Sequence, residues 1–313
     1  MMKTTMKLFL TAALALLVNT SVLALESVKI SYQRSSTLWQ ILKENGALDQ
    51  KLAPLGFKVS WHEFNSSLLS SLNSGALDLH ADVADAFAVF TQAAGAPLVY
   101  YATEKHSPNA EAVIVPAGSS ISTIADLRGK KVAVSRGSGS HYLLVAALKS
   151  AGMTLRDIQP IYLEASEGAA AFSSGAVDAW STWDPFLSVE EYKNQARVIV
   201  DGEGLLSYNR FYMATDRFAE AHPEVIQAAF EALEEAGRWA KANPEEAAAK
   251  LSPLWGNIDP AAIAMALKRR TLVPEPMDRA LLAEQQNIID AYFEEKLIPK
   301  RVDSEDIAIL PLH

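Results

Sequence analysis

Apolar and polar residues alternate along the first part of the chain in blocks that predict strands and helices in turn. Residues 28–32 form a short apolar strand, the polar loop 33–36 follows it, and apolar residues at helical spacing in 38–43 predict a helix. A second strand is predicted at 58–61, and the helical stretch after it ends in Ser-Gly-Ala-Leu-Asp at 74–78. The predicted order is therefore strand, loop, helix, strand, helix.

The same order of elements occurs again further along the chain. A strand at 131–135 leads into the loop 136–140 and a helix at 142–151, another strand follows at 158–163, and Ser-Gly-Ala-Val-Asp occupies 174–178. A five-residue match can arise by chance, but the matched order of elements around it favours a true repeat. Alternating strands and helices imply mostly parallel sheets with right-handed crossovers, so we expect an α/β fold with two similar lobes.

Two extended segments, 112–116 and 210–214, lie where the chain has to pass between these lobes. We therefore expect a first lobe made of 25–113 plus 214–313 and a second lobe made of 114–213. The last part of the chain is rich in Ala and Glu and is predicted to be helical, so it returns to cover the first lobe. Two crossings between the lobes would form a hinge.

The first 24 residues have the organisation of a secretory signal peptide. Lys3 and Lys7 precede an apolar run at 8–18, and a small-residue cleavage site ends at Ala24. A membrane anchor is the alternative, but the run of 11 residues rises about 16 Å as a helix, and a bilayer core is ~30 Å thick. The chain has no cysteine for lipid attachment. Because an unanchored exported protein would diffuse away from a cell without an outer membrane, we expect the periplasm.

The composition argues against several functional classes. The 313 residues carry 28 basic and 37 acidic side chains, and a formal charge of −9 argues against nucleic-acid binding, which needs a basic surface. The absence of cysteine excludes disulfides, thiolate metal sites and a catalytic thiol. The six histidines have no metal-ligand spacing, so we expect no metal. No polar loop fits a nucleotide-binding motif, and Ser140 and His141 are adjacent and would point apart on a helix, so we expect no other cofactor and no catalytic residue.

The loop 136–141, Arg-Gly-Ser-Gly-Ser-His, is the sharpest candidate for a binding site. Ligands of open parallel sheets bind beyond the carboxyl ends of the strands, where loops lead into helix N-termini. The glycines allow close approach of the backbone and the serines can donate hydrogen bonds, which suits a small anion such as a sulfonate, sulfate, nitrate or phosphate. A flexible turn with a serine N-cap is the alternative. The candidate residues are Gly137, Ser138, Gly139, Ser140 and His141.

The polar loop of the first lobe occupies the equivalent position after its strand. It contains Gln33, Arg34, Ser35 and Ser36, and it also opens a helix. A polar loop at the same place in both lobes favours ligand contact over a purely structural turn. We therefore expect both loops to face one cleft.

Further candidates for ligand binding lie at the end of other predicted strands. Trp183 could form a wall for an apolar ligand tail, and Asp184 could orient a donor or cap a helix that begins with the next proline. The corresponding stretch of the first lobe places His80 and Asp82 near the same cleft. Phe211, on the second extended segment, completes the candidate set.

From about residue 28 to residue 299 the chain resembles the periplasmic aliphatic-sulfonate-binding proteins of ABC importers. The segments that carry this resemblance are ISYQR (30–34), QAAGAPLVY (92–100), IADLRGKKV (124–132), GSGSH (137–141), VDAW (177–180), WDP (183–185) and LIPK (297–300). The resemblance implies a type II periplasmic-binding-protein fold, in which two lobes with mostly parallel sheets flanked by helices are joined by a two-strand hinge. It also implies a monomeric, non-catalytic protein that delivers its ligand to the permease and ATPase subunits of a membrane importer.

The resemblance further implies a sulfonate held by the 33–36 loop, the helix start at 138–141 and the Trp183-Asp184 segment. One stretch departs from the family, because sulfonate binders usually carry a Gly-rich run ending Gly-Asp-x-Pro-Pro, whereas residues 80–87 contain neither Gly nor Pro. Asp82 in this stretch would repel an anion unless it faces away or meets a cationic or hydroxyl group of the ligand.

The ligand alternatives are therefore an aliphatic sulfonate or sulfate ester, a taurine-like amine, nitrate, or a pyrimidine precursor of thiamine. From a different functional class, a desulfinase-like enzyme is also an alternative. The chain lacks the cysteine nucleophile that such an enzyme needs, which favours a binding protein.

Overall fold

A computed structural model describes residues 25–33, 35–63, 76–80 and 82–312. The predicted signal peptide, the candidate residue Arg34 and the start of the first repeat motif lie outside these residues.

The strands are β1 (Glu26–Tyr32), β2 (Phe57–Glu63), β3 (Val83–Ala84), β4 (Leu98–Glu104), β5 (Glu111–Val115), β6 (Lys131–Val134), β7 (Gln159–Tyr162), β8 (Ala179–Trp183), β9 (Arg197–Asp201), β10 (Arg210–Thr215), β11 (Glu275–Pro276) and β12 (Ala308–Ile309). The helices are α1 (Thr37–Asn45), α2 (Ala47–Leu52), α3 (Asp85–Ala93), α4 (Gly139–Ser150), α5 (Ala165–Ser173), α6 (Phe186–Asn194), α7 (Asp216–Ala221), α8 (Pro223–Ala242), α9 (Pro244–Leu254), α10 (Pro260–Arg269) and α11 (Leu281–Glu294).

The strands form two sheets. In the first, β4 lies between β11 and β10, β10 also pairs with β3, and β12 pairs with β4. The parallel pair β1–β2 joins this sheet through Leu79, which bridges Ile30 and Ala214. The second sheet has the order β7-β6-β8-β5-β9. In this sheet β6 runs parallel to β7 and β8, and β5 runs antiparallel to β8 and β9. The predicted α/β architecture is confirmed.

The chain passes from one sheet to the other next to the two segments expected from the sequence, not within them. The sequence pattern places the crossings at 112–116 and 210–214, but these stretches are largely the strands β5 and β10, which are buried along their whole length. The chain crosses instead through 105–110 and 202–209, the links that precede these strands. An apolar run is typical of a central strand as well as of an extended link, so the pattern does not separate the two.

Each sheet has a hydrophobic core of its own. Ile30, Trp39 and Leu233 are fully buried in the core of the first sheet, which α1 and α8 cover. Val132 and Leu144 are fully buried in the core of the second sheet, beneath α4. Two separate cores support the division into two lobes, whose boundaries stay a prediction. In the described part of the chain, no helix is long and apolar enough to cross a bilayer.

Candidate functional site

A small polar pocket lies at the seam, the region where the two sheets and their helices meet. It is bounded by the start of α1, the segment after β8, the crossing 202–209 with β10, and the ends of α9 and α10. About 10 Å³ is open to a solvent-sized molecule, so an organic anion fits only when the walls move apart. The polar lining consists of Ser35, Thr37, Asp184, Tyr208, Arg210 and Arg270.

Two arginines form the basic wall of the pocket. Nε of Arg210 donates to Oδ2 of Asp82 at 2.8 Å, and its Nη1 donates to the Tyr208 hydroxyl at 3.1 Å. Nη2 of Arg270 donates to Oε1 of Glu104 at 2.6 Å and to Oδ2 of Asp82 at 3.3 Å. Asp82 is buried at the seam, and its negative charge is balanced by two guanidinium groups. This pairing removes the repulsion that the sequence leads us to expect between Asp82 and an anionic ligand.

The first turn of α1 forms the neighbouring wall. Thr37 is the first residue of this helix, and its Oγ1 accepts a hydrogen bond from Nη1 of Arg270 at 2.7 Å. Ser35 precedes the helix and lines the pocket. The N–H groups of a first helical turn have no acceptor within the helix and carry partial positive charge. Together with the guanidinium groups, they make this side of the pocket suitable for an anion.

The loop 33–36 contributes to the pocket in part. Ser35 lines it, as described, whereas the backbone N–H of Gln33 donates to Oγ of Ser36 at 3.1 Å and closes the turn. Ser36 is buried and its side chain makes no capping bond to α1. Gln33 and Ser36 therefore shape the turn that presents Ser35.

Asp184 connects the two sides of the seam. It follows β8, and its Oδ1 accepts from the backbone N–H of Ser188 at 3.0 Å and from Nη1 of Arg269 at 3.1 Å. Arg269 lies at the end of α10 and also pairs with Glu191 on α6. Burial raises the pKa of Asp184 to about 6, although Arg269 acts in the opposite direction. Asp184 therefore holds the donor of Arg269 and bonds to the first turn of α6, but this helix begins at Phe186 and not, as expected, at Pro185.

The apolar side of the pocket is formed by residues that the sequence analysis does not single out. Trp255, Leu267 and Pro185 line it. The expected aromatic wall, Trp183, is half-buried and packs its ring edge-on against Phe186, with 5.8 Å between the ring centroids. Trp255 contacts both the core of the first sheet and the pocket.

Two other candidates belong to the core. His80 is fully buried, its backbone N–H donates to the carbonyl of Met213 at 2.8 Å, and its ring lies near that of Phe87. Phe211 is fully buried in an apolar cluster, where its ring centroid lies 5.2 Å from that of Tyr100. Because both residues lie on or beside central strands whose side chains fill the core, we do not retain them in the candidate site.

The loop that precedes α4 lies at the seam, but it contacts protein rather than the pocket. Oγ of Ser138 accepts from the backbone N–H of His141 at 3.2 Å, which makes Ser138 the N-cap of α4. The hydroxyl oxygens of Ser138 and Ser140 lie 2.8 Å apart. From the other side of the seam, the Tyr292 hydroxyl on α11 donates to the carbonyl of Ser138 at 2.7 Å.

His141 is a structural member of this loop. Its Nδ1 accepts from the backbone N–H of Gly137 at 3.0 Å, and the ring is fully buried. Burial lowers the pKa of His141 to about 4, and the positive charge of Arg136 adds to this shift. The imidazole is therefore neutral at pH 7.

Gly137 has a φ of +76°, and a Cβ at this position would lie 2.6 Å from the Phe90 ring on α3.

Glu111 is a residue that the sequence analysis misses. Its side chain is buried at the start of β5, and neither carboxylate oxygen has a hydrogen-bond donor among the described residues. A Cβ added to Gly139 would lie 2.6 Å from Oε2 of Glu111, so the carboxyl group packs against the first turn of α4. Burial raises the pKa of Glu111 well above its usual range, and the negative charge of Asp85 adds to this. The available signal is a single acid at the start of an apolar run, EAVIV at 111–115.

Two α/β sheets with a polar, arginine-lined pocket at their seam define the class of two-lobe, type II periplasmic binding proteins, and the comparisons with known proteins agree. A family model described as NMT1/THI5-like matches residues 63–247, more than half of the chain. The chain belongs to this family.

The similar proteins cover most of the chain. A relative from Escherichia coli strain K12 that is named for aliphatic sulfonates is 37% identical over 280 residues, 89% of this chain and 87% of the relative. The crystal structure of the periplasmic aliphatic sulphonate-binding protein SsuA from Escherichia coli has a TM-score of 0.85 at 36% identity and covers 92% of this chain and 93% of its own. The alkanesulfonate-binding protein SsuA from Xanthomonas axonopodis pv. citri, bound to MOPS, has a TM-score of 0.83 at 32% identity, with coverages of 91% and 98%.

Proposed function

We propose that the chain is the periplasmic substrate-binding component of an ABC importer and that it captures a small organosulfur anion in the seam between its two lobes. The similarity to proteins named for aliphatic sulfonates, across about nine-tenths of the chain, supports this function. The ligand that we favour is an aliphatic sulfonate. A sulfate ester presents the same kind of head group and is the nearest alternative.

The observation that carries the proposal is the convergence of two guanidinium groups and a helix N-terminus on one pocket. Arg210, Arg270 and the first turn of α1 all contribute to its lining. A sulfonate is a monoanion with three acceptor oxygens, and guanidinium, hydroxyl and backbone N–H groups satisfy such oxygens together. A guanidinium has five N–H donors, and Arg210 directs three hydrogen bonds to described residues. Donors therefore remain for a ligand.

The charge balance of the pocket also suits a monoanion. Arg210 and Arg270 are already paired with Asp82 and Glu104, so no unpaired positive charge is buried before the ligand arrives. A ligand with a single negative charge then needs hydrogen-bond donors more than it needs a full counter-charge. Ser35 is one such neutral donor at the pocket wall.

The shape of the pocket favours a small head group with a short apolar tail. Trp255 and Leu267 form an apolar side next to the arginines. The space between the walls is small in the closed arrangement, so the ligand has to enter while the seam is open. The bonds between Arg269 and Asp184 and between Tyr292 and Ser138 then re-form as the seam closes.

Export and partners are part of the same proposal. The N-terminal segment ending at Ala24 supports export to the periplasm. A binding protein of this class delivers its ligand to a membrane permease that an ATPase drives, and we propose these subunits as its partners. We propose that the binding protein itself acts as a monomer, without a metal or other cofactor.

Titration calorimetry of residues 25–313 tests this function. We expect ethanesulfonate and methyl sulfate to bind more tightly than nitrate, and taurine shows whether an added amine helps or hinders. If none of these ligands binds, the proposed function is wrong. Sulfite released from a sulfinate under the same conditions would favour an enzyme instead.

A matched pair of serine variants tests the site. Ser35→Ala removes one hydroxyl donor from the pocket wall, and a hydrogen bond to a charged group contributes about 1.5–3 kcal/mol, so we expect about ten- to a hundredfold weaker binding. Ser122→Ala, at an exposed position away from the seam, is the control and should bind like the wild type. Unchanged affinity in Ser35→Ala would place the head group elsewhere.

A further inference from the structure

Glu111 is a buried acid whose carboxylate is unpartnered within the described part of the chain. Its exposed fraction is 1%, and neither Oε1 nor Oε2 accepts a hydrogen bond. The carboxyl group packs against the first turn of α4, where a Cβ on Gly139 would come within 2.6 Å of Oε2. Glu111 thus lies enclosed at the seam rather than on the outer surface of a lobe.

The other acids at the seam differ from Glu111 in their partners. Asp82 is paired with Arg210, and Asp184 is paired with Arg269. The carboxylate of Asp85 accepts hydrogen bonds from two backbone N–H groups, at 2.7 and 2.8 Å. Each of these groups can therefore hold a negative charge with some compensation, whereas Glu111 has none of these bonds.

The charged and titratable groups that face Glu111 come from several elements. Asp85 on α3 opposes a negative charge on it, and Arg210 on β10 favours one. Tyr208 in the crossing and Tyr292 on α11 also interact with it electrostatically, and burial raises the pKa of both phenols, so both are neutral at pH 7. The first turn of α4 brings no charged side chain at neutral pH. Burial, the largest influence on the pKa of Glu111, acts with Asp85 to favour the neutral acid.

We propose that closing the seam protonates Glu111, so that ligand capture takes up one proton from solvent. An ionised carboxylate without a hydrogen-bond donor is costly in a low-dielectric interior, whereas the neutral acid avoids this cost. The step is a simple proton transfer: one oxygen of Glu111 gains a proton from water or buffer on closing and returns it on opening. The ligand itself is not changed.

The position of Glu111 between the lobes makes its proton uptake depend on closing. Glu111 belongs to β5 of the second sheet, whereas Asp85, Arg210 and Tyr292 lie on elements of the first sheet or its helices. Separating the two sides admits water to the carboxyl group and returns its pKa toward the usual range for glutamate. This inference rests on the proposed function, because it requires a seam that opens for ligand.

The pH range of the effect separates Glu111 from its neighbours. Asp85 and Asp184 each have a pKa of about 6 in the closed structure, so both are largely ionised above pH 7 whether the seam is open or closed. Proton uptake above pH 7 is therefore assigned to Glu111. In this range, we expect the dissociation constant to rise by up to tenfold for each unit of pH.

Calorimetry in two buffers tests the proposal. Ethanesulfonate is titrated into the wild type at pH 7.5 in bis-Tris and in Tris, two cationic buffers whose ionisation enthalpies differ, and the difference in heat gives the number of protons taken up per ligand. We expect close to one proton for the wild type, close to none for Glu111→Gln, and the wild-type value for Glu220→Gln, an exposed control on α7. No uptake by the wild type, or full uptake by Glu111→Gln, would overturn the proposal.

Urea unfolding with and without ligand separates this proposal from the proposed function. The midpoints of the wild type and Glu111→Gln are compared from pH 5 to pH 8. Because the pKa of Glu111 is raised only when the seam is closed, the two profiles should run parallel without ligand, and with saturating ethanesulfonate the wild type should lose stability relative to the variant as pH rises. If ethanesulfonate stabilises neither protein, the proposed function fails; if it stabilises both equally at every pH, the function stands and this proposal fails.

The wild type alone supplies a test if Glu111→Gln does not fold. The side-chain carboxyl ¹³C resonances of its glutamates are followed over the same pH range. We expect one glutamate to remain protonated at pH 7 in the presence of saturating ethanesulfonate and to ionise without it. Complete ionisation of every glutamate by pH 6 with ethanesulfonate bound would overturn the proposal.

Discussion

Arg269 donates to both carboxylate oxygens of Asp184, at 3.1 and 3.2 Å, and this ion pair spans the seam. Arg269 ends α10, which packs with the helices that cover the first sheet, whereas Asp184 follows β8 of the second sheet. The side chains of Arg269 and Asp184 are 19% and 5% exposed. Because the two residues come from opposite sides of the seam, we propose that their contact stabilises the closed arrangement over the open one.

Replacing Arg269 by glutamine should weaken ligand binding. The change removes the pair with Asp184 and also the pair with Glu191, so the closed form loses bonds that an open form does not make. Loss of one charge-assisted hydrogen bond of about 1.5–3 kcal/mol corresponds to about a ten- to hundredfold rise in the dissociation constant for ethanesulfonate. Titration calorimetry checks this, with the exposed Arg279→Gln as control. Equal affinity in Arg269→Gln and the wild type would show that the pair does not control closing.

Replacing Ser138 by alanine should destabilise the unliganded protein. Ser138 caps α4 through its bond from the N–H of His141, and loss of an N-cap costs about 1 kcal/mol. Urea unfolding measures the difference, with the exposed Ser174→Ala as control. An unchanged free energy of unfolding in Ser138→Ala would contradict the capping role.

A pair of glycine variants separates backbone strain from closure. Gly137 and Gly175 have similar positive φ angles, +76° and +72°, so alanine at either position costs roughly 1–2 kcal/mol from the backbone alone. At Gly137 the added Cβ also lies 2.6 Å from the Phe90 ring across the seam, whereas at Gly175 nothing lies within 4 Å. We expect Gly137→Ala to reduce ligand affinity as well as stability, and Gly175→Ala to reduce stability alone. Equal affinity in the two variants would contradict close packing of this loop against α3.

His141 should make the stability depend on pH below neutrality. Its pKa is about 4 in the fold against an ordinary value of about 6.5, so the fold favours the neutral ring. The contribution of the neutral His141 to the free energy of unfolding is therefore fully present above pH 6.5, and it is lost as the pH falls toward 4. At about 1.4 kcal/mol for each pKa unit, the loss is on the order of 3 kcal/mol. An NMR titration of the imidazole checks the pKa, and titration near pH 6.5 would contradict a buried, neutral His141.

The arrangement of elements could largely be predicted from the sequence. The apolar blocks at 28–32 and 131–135 and the periodic helices after them predict β1, α1, β6 and α4 to within a few residues. These signals are local, because each depends on the spacing of apolar residues within one element. A local pattern does not show which neighbour a strand pairs with. The apolar segments of β5 and β10 are therefore expected to connect the lobes, whereas in the structure they are buried strands.

The candidate site could be predicted only in part. Ser35 and Asp184 line the pocket as expected, since both follow strands at the edge where loops from the two lobes meet. Arg210 and Arg270 come from distant parts of the chain, and their role depends on the packing of the last helices against the first lobe. No local pattern distinguishes Arg270 from a surface arginine at a helix end. Glu111 is missed for the same reason, because its lack of partners is a property of the packed structure.

Thermal unfolding with a charged ligand and its neutral analogue tests whether the seam captures an organosulfur anion. Ethanesulfonate and ethanesulfonamide have similar size and shape, but only the first carries a full negative charge at pH 7. At a free concentration of 100 times the dissociation constant, a ligand adds about 2.7 kcal/mol of stability. We expect a clear rise in melting temperature with ethanesulfonate and none with ethanesulfonamide. No rise with ethanesulfonate, or the same rise with both compounds, would contradict it.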